Sequence, residues 1–342
     1  MSEAAIAPTI VQQTFAERLE VILPVLLVPI IALAGLALIG TPSTWLTLTA
    51  AGLAMGMMIF LMASGLTIVF GLMDVINFGH GAFIAVGAFV GVSVLAQLAG
   101  WTGAPSVVLN LTALAAALLV AMAATGALGW LFERVIVRPV YGFHLKQILV
   151  TMGGLIIAQQ MIHVIWGPDA ITLARPQMLK GSVVVGGALI ETYRILAAGL
   201  GLAVFIAIRL VLTRTKIGLL VRAGVENGEM VESLGYRIRR LFVAVFVAGS
   251  ALAGAGGVMW ALYQETITAH MGSEIMILVF IVVIIGGLGS IEGCFIGALL
   301  VGLMANYTAF LAPKVALISN IGLMVLILMW RPQGLYAVVK AK

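Results

Sequence analysis

The sequence has 342 residues, of which 63% are hydrophobic and only 9% charged, with a formal net charge of +5. A soluble domain carries about 25% charged residues, so this composition excludes an ordinary water-soluble enzyme. The single cysteine, Cys294, excludes an intrachain disulfide and any cysteine-based metal cluster. In so apolar a chain the placement of the basic residues reports topology rather than nucleic-acid binding.

A helix needs about 20 apolar residues to cross the hydrocarbon core. Ten stretches qualify in chain order: 21–40, 45–70, 78–99, 107–132, 147–166, 193–212, 241–263, 275–288, 293–311 and 315–330. The stretch 275–288 is short for a full crossing and reads as a span, a half-helix or a re-entrant piece. The first 20 residues lack the basic start of a signal peptide, since Arg18 lies between Glu17 and Glu20. The expectation is therefore a short N-terminal segment (1–20) followed by a retained span (21–40). The 40 glycines suit close helix packing, and Gly52/Gly56, Gly87/Gly91 and Gly293/Gly297 are small-xxx-small pairs.

Basic residues are unequally divided between alternate loops. One set holds Arg18, Arg134, Arg138, Lys146, Arg209, Arg214, Lys216, Arg222, Arg237, Arg239, Arg240, Arg331, Lys340 and Lys342. The other holds Arg175, Lys180, Arg194 and Lys314. The positive-inside rule places the first set in the cytoplasm. The fold expected is an all-α polytopic membrane protein with about 8–10 transmembrane helices, one or two broken or re-entrant segments, and both termini cytoplasmic.

Two glycine-rich runs interrupt the apolar pattern. The first, Gly71-Leu72-Met73-Asp74-Val75-Ile76-Asn77-Phe78-Gly79-His80-Gly81, contains no Lys or Arg. Ionisable side chains and non-helical backbone at membrane depth need a cavity or a protein partner. The run reads either as a turn in which Asn77 caps the next helix or as a broken helix lining a pathway. His80 has no second ligand at metal-binding spacing, so no metal site is read. The second run, Gly286-Gly287-Leu288-Gly289-Ser290-Ile291-Glu292-Gly293, lacks the Lys-Ser/Thr of a phosphate-binding loop and reads as a tight turn between antiparallel spans. Gly81-Ala82-Phe83-Ile84 weakly echoes Gly293-Cys294-Phe295-Ile296, as internal repeats of transporters do.

Residues 213–240 form the most polar stretch, with apolar positions Leu219, Val221, Val225, Met230, Val231 and Leu234 interleaved with charge. Gly224 and Gly228 weaken an isolated helix by about 1 kcal/mol each, so a short helix here requires a partner surface. The spacing of Gly218, Arg222, Ala223 and Gly235 resembles the cytoplasmic coupling loop of ABC importer permeases. Together with Gly71…Asn77-Phe78-Gly79-His80-Gly81, the Gly286–Gly293 run and Trp330-Arg331-Pro332-Gln333-Gly334-Leu335, it resembles the branched-chain amino acid permease family of the LivH/LivM type. The resemblance covers roughly residues 45–336 and makes 21–40 an extra leader span. It implies a permease domain at 41–336, a coupling loop at 213–240 and a cytoplasmic tail at 337–342. Asp74, Asn77, Phe78 and His80 are then translocation-pathway candidates. Gly218, Arg222, Ala223, Glu226 and Gly235 are ATPase-coupling candidates. Gly71, Gly81, Gly286, Gly287, Gly289 and Gly293 serve turns and packing.

The same resemblance implies a bacterial inner-membrane subunit of a binding-protein-dependent ABC importer. Its partners would be two cytoplasmic ATPase subunits, a periplasmic substrate-binding protein and a sister permease, paired as a heterodimer or as a homodimer. The chain has no Walker A lysine, so it cannot drive pumping alone; the expectation is a transport subunit, not an enzyme, that binds no cofactor itself, with ATP and Mg on the partners. Ala82 stands where amino-acid members of the family often carry an acidic residue, and Asp74 where a small one is common. The substrate expectation therefore spans branched-chain or other amino acids, urea or short amides, and small carboxylates. The main alternative is an ion-coupled secondary transporter, with Asp74, His80, Glu274 and Glu292 as ion sites. A passive channel would need a pore lining that the pattern does not reveal. An intramembrane enzyme is disfavoured, because His144, His163 and His270 are scattered at span ends without paired carboxylates or a nucleophile in reach by spacing.

Overall fold

A computed structural model describes residues 15–226 and 228–336. The expected N-terminal segment up to residue 14 and the tail at 337–342 lie outside the described residues. Helix α1 (Phe15–Ile39) is followed at once by α2 (Pro42–Met73), which has Pro42 in its first turn, where a missing N–H is harmless. Then come α3 (His80–Gln97), a single helical turn α4 (Ala99–Thr102) and α5 (Val107–Phe132). Ser106 starts α5 by accepting a hydrogen bond from the Leu109 N–H, an N-cap in the ordinary sense. A π-helical turn at Glu133–Val137 and a 3-10 turn at Arg138–Val140 extend α5. Helices α6 (His144–Trp166) and α7 (Thr192–Arg214) are long spans; α8 (Lys216–Glu226) and α9 (Gly228–Ser233) are short. The chain continues through α10 (Ile238–Gln264), α11 (Met271–Gly286), α12 (Ile291–Leu311) and α13 (Ala316–Trp330).

Eight of these segments are long and apolar enough to cross a membrane, and α11 and α13 are shorter apolar helices. The ten correspond in order to the ten stretches expected, with edges moved by a few residues. Two small ladders were not expected. Strands β1 (Ile171–Thr172) and β4 (Thr266–Ile267) pair antiparallel. Strands β2 (Ser182–Val185) and β3 (Ala188–Glu191) form a hairpin across Gly186 and Gly187. Both glycines have positive φ, as a two-residue hairpin turn requires. The sequence signal was present: Val183-Val184-Val185 and Ala188-Leu189-Ile190 flank a Gly-Gly pair.

Helix α2 is the central post, packing on α12, α10, α7 and α11. The three small-xxx-small pairs sit at such crossings. A Cβ on Gly52 would lie 2.9 Å from the Leu303 Cα, and one on Gly56 2.6 Å from the Ala298 carbonyl of α12. Gly87 abuts Gly254 and Gly91 abuts Val258 of α10, while Gly297 faces the Val282 carbonyl of α11. In lipid, where helices gain little by hiding apolar surface from each other, such backbone proximity supplies the dispersion contact. Helix α11 is held at both ends in this way: Gly272 meets Gly81, and Gly286 meets Gly293.

At the hairpin end, Arg175 is 13% exposed and clamps three segments. Its guanidinium lies 2.8 Å from Glu191 and 2.9 Å from Glu265. It also donates to the Leu262 and Tyr263 carbonyls and lies over the Tyr193 ring.

Candidate translocation and coupling site

The first break begins where Asp74 adopts a left-handed conformation (φ 52°) and its N–H closes α2 on the Phe70 carbonyl. The chain stays irregular to Gly79, and α3 restarts at His80. Backbone freed at this depth needs new partners, and α6 supplies two. Gln147 accepts from the Ile76 N–H at 3.4 Å and Thr151 accepts from the Phe78 N–H at 3.1 Å. Both side chains are buried. They lie four residues apart, hence on one helix face. The sequence reading missed them, although two polar residues at that spacing in an apolar helix were a usable signal.

Asn77 does not cap the following helix. The cap position is Gly79, with no side-chain hydrogen bond. Asn77 is 1% exposed, and its Oδ1 has no hydrogen-bond partner among the described residues. Phe78 packs its ring 4.6 Å from Phe280 of α11. His80 is buried, with Nε2 2.8 Å from the Met62 carbonyl of α2. A carbonyl only accepts, so this nitrogen carries the proton. Asp74 is exposed at the mouth of the break.

The second break turns tightly between the antiparallel α11 and α12, through Gly287 and Gly289 at positive φ. Ser290 caps α12 by accepting from the Gly293 N–H at 3.1 Å. The C-terminal segment straps this turn. Leu335 N–H donates to the Ile285 carbonyl at 2.8 Å and Tyr336 N–H to the Gly286 carbonyl at 3.0 Å. A Cβ on Gly334 would lie 2.5 Å from the Gly287 Cα. Gly71, in the last turn of α2 just before the first break, meets Gly289 of the second.

The polar stretch folds as α8 and α9. Gly218 is pressed on the Leu212 carbonyl at the end of α7, and Gly224 lies near Leu72 and Ile238. Ala223 is half-buried, and Gly235 turns the chain into α10 with φ 87°. Arg222 and Glu226 belong to α8, but their side chains lie outside the described residues. Ile217, Leu219, Met230, Leu234 and Tyr236 are exposed while Val231 is buried. Helix α8 therefore joins the bundle at the last turn of α2, two residues before Asp74, and presents apolar side chains outward. The contacts of Gly224 with Leu72, Gly71 with Gly289 and Gly334 with Gly287 thus join the four motifs, far apart in sequence.

Over residues 48–329 the sequence matches the family described as the branched-chain amino acid transport system permease component. The chain belongs to that family. This permease is 31% identical over 293 residues to the high-affinity branched-chain amino acid transport system permease protein BraD of Pseudomonas aeruginosa, covering 83% of this chain and 93% of that one. It is 28% identical over 297 residues to the corresponding protein LivH of Escherichia coli K12, covering 83% and 92%. A probable branched-chain amino acid transport permease protein LivH of Methanocaldococcus jannaschii matches 105 residues at 30%, or 31% and 33% of the two chains. No solved structure matches significantly. The chain is thus a multi-pass membrane permease of the ABC transport type.

Two other expectations about this permease change. His163 and His270 are not scattered: their rings lie 5.6 Å apart, where α6 meets the start of α11. Gln159 of α6 donates to Ser273 of α11 at the same contact. Among the described residues no three or more His, Cys, Asp or Glu converge as a metal site. Glu274 lies in the first turn of α11 and Glu292 in the first turn of α12, so they sit at opposite ends of the bundle and form no shared ion site.

Proposed function

We propose that this chain forms, with a sister permease, the translocation pathway of a binding-protein-dependent importer in the bacterial inner membrane. Two cytoplasmic ATPases supply the energy and a periplasmic binding protein delivers the solute. The pairing we favour is a heterodimer. The substrate is a small polar solute of the branched-chain amino acid, other amino acid, amide or small carboxylate class. Support comes from the branched-chain amino acid transport permeases that this chain resembles and from the clustering of basic residues at the coupling end, which argues for a cytoplasmic placement of that end.

The observation that carries the pathway assignment is Asn77. A buried amide oxygen left without a partner costs about 1–3 kcal/mol, and intramembrane polar groups that stay unpaired point to a site of function. In this reading Asn77 and Phe78 contact the passing solute, Asp74 stands at the mouth, and His80 holds the break against α2. Helix α8 docks on the ATPase through its outward apolar residues, with Gly218, Arg222, Ala223, Glu226 and Gly235 shaping the joint. ATP-driven closure reaches Asp74 through Leu72. Such coupling needs two discrete arrangements of the permease pair.

The test is uptake by proteoliposomes containing the full complex and loaded binding protein. ATP-dependent accumulation of a branched-chain amino acid or another solute of these classes supports the reading. Accumulation that persists without ATP and collapses with an uncoupler overturns it.

A further inference from the structure

Helices α5 and α10 pack closely along their length. Gly126 lies against Val247, Gly129 abuts Ser250, and Phe132 stacks on Phe246 with ring centroids 6.4 Å apart. Beyond that contact the two helices end beside an open basin of about 680 Å³ at the coupling end of the bundle. Five arginines line it: Arg134 and Arg138 from the π and 3-10 turns that extend α5, and Arg237, Arg239 and Arg240 from the start of α10. All five are exposed. None of them forms an ion pair among the described residues.

Two acidic side chains share the basin, and neither neutralises it. Glu133 is buried at its floor, where its carboxylate accepts from the Tyr141 hydroxyl at 2.7 Å. Burial, and then that hydrogen bond, hold Tyr141 well above the usual phenol range, so it remains a donor. Glu232 is exposed on the other wall. Five positive charges against two negative leave a cationic cavity. Three of those charges also stand at a helix N-terminus, where the macrodipole disfavours cations by a few tenths of a kcal/mol or more each and favours anions. The arrangement is therefore unfavourable for the isolated chain and favourable with an anion present. Arginine forks suit phosphate oxygens in pairs.

The basin's rim carries exposed apolar side chains. Trp130 forms its rim, half-exposed, with the Arg134 guanidinium 5.5 Å from its ring centroid. Leu131 and Val135 are exposed beside it. An indole at a span end marks the headgroup level, and exposed aliphatic side chains just above a cationic cavity match acyl chains hanging from a phosphate. We propose that this basin binds the phosphate headgroup of an anionic phospholipid from the leaflet at the coupling end. Basic pockets between spans are suited to such headgroups. The lipid would bridge α5 to the first turn of α10, directly after the coupling segment.

The test uses the full complex in nanodiscs of phosphatidylcholine with a minor fraction of phosphatidylglycerol, extracted in mild detergent and weighed by native mass spectrometry. The wild type is expected to retain phosphatidylglycerol selectively. Arg134→Gln with Arg138→Gln, on one wall, and Arg239→Gln with Arg240→Gln, on the other, are each expected to reduce that retention about tenfold. Two variants from separate helices guard against misfolding of either. Retention unchanged in both folded variants overturns the proposal. So does displacement by glycerol phosphate at the affinity of the lipid, which would make this a site for a soluble anion. Loss of the ATPase subunits with lipid retention intact also overturns it, because the basin would then be a protein contact.

Discussion

Gly71 on α2 and Gly289 in the second break touch backbone to backbone: a Cβ on Gly71 would lie 2.7 Å from the Gly289 Cα. The last turn of α2 and an irregular segment more than two hundred residues away are thereby fixed to each other at one point. Neither side has a flexible side chain that could yield. Gly71→Ala is expected to destabilise the purified complex by about 1–3 kcal/mol, the range for overpacking a tight contact, seen as a lower Tm in detergent. Gly153→Ala in α6 is the control. Nothing lies within 4 Å of its added methyl, so Tm should hold or rise slightly, as helix propensity favours Ala over Gly by about 1 kcal/mol.

His80 and Asn77 are expected to respond differently. His80→Leu removes the donor to the Met62 carbonyl and should lower stability by about 1–3 kcal/mol, with His80→Gln recovering part of it. Asn77→Leu removes an unsatisfied polar group, so the assembled complex should be as stable as wild type or more so, while uptake falls severely. Thermal unfolding and proteoliposome uptake measured on the same preparations separate the two. Wild-type uptake by Asn77→Leu would return the first break to a purely structural role.

The joint between α7 and α8 admits no side chain at Gly218, which rests on the Leu212 carbonyl. Gly218→Val must tilt α8 away from α7. Uptake is expected to fall at least tenfold while ATP hydrolysis by the complex continues but loses its stimulation by loaded binding protein. Arg222→Glu, a charge reversal on the same helix, should uncouple in the same direction. Normal stimulation and normal uptake in both variants would sink the coupling assignment.

Arg175 ties β3 and the C-terminal end of α10 to the loop after β1. Arg175→Ala leaves Glu191 and Glu265 without their shared cation and two carbonyls without a donor. The expected loss is about 2 kcal/mol, less than the 3–5 kcal/mol of a fully buried pair because both glutamates are partly exposed. Arg175→Lys keeps the charge but not the fork, and should recover only part of the loss. Chemical denaturation with and without high salt measures both, and most of the Ala effect should persist in salt because Arg175 is shielded.

The spans and their order were legible because hydropathy over 20 residues is a local property, and burying apolar surface in lipid needs no tertiary information. The Gly-Gly hairpin was equally local and was passed over. What the sequence could not supply was register between helices. Spacing along the chain separates His163 from His270, yet the packing of α6 on α11 brings their rings together. It gives no hint that Thr151 would satisfy Phe78, or that Gly71 would find Gly289. The capping alternative for Asn77 fails for a physical reason. Asn is a favoured cap, but here the cap position fell two residues later, at Gly79, where Phe132 leaves no room for a Cβ. Arg175 looked like one more loop cation, because its partners come from three separate segments.

Helix α11 spans 16 residues, about 24 Å at 1.5 Å per residue, against a hydrocarbon core of about 30 Å. The glycine contacts at its two ends fix it at that length between α3 and α12. A span of that length reaches both interfaces only where the bilayer thins or the flanking segments are drawn inward. Helix α2, with 32 residues, exceeds the hydrocarbon thickness, whereas α11 falls short of it. In the proposed reading, a polar solute crossing beside α11 has a shorter low-dielectric path than one crossing beside α2.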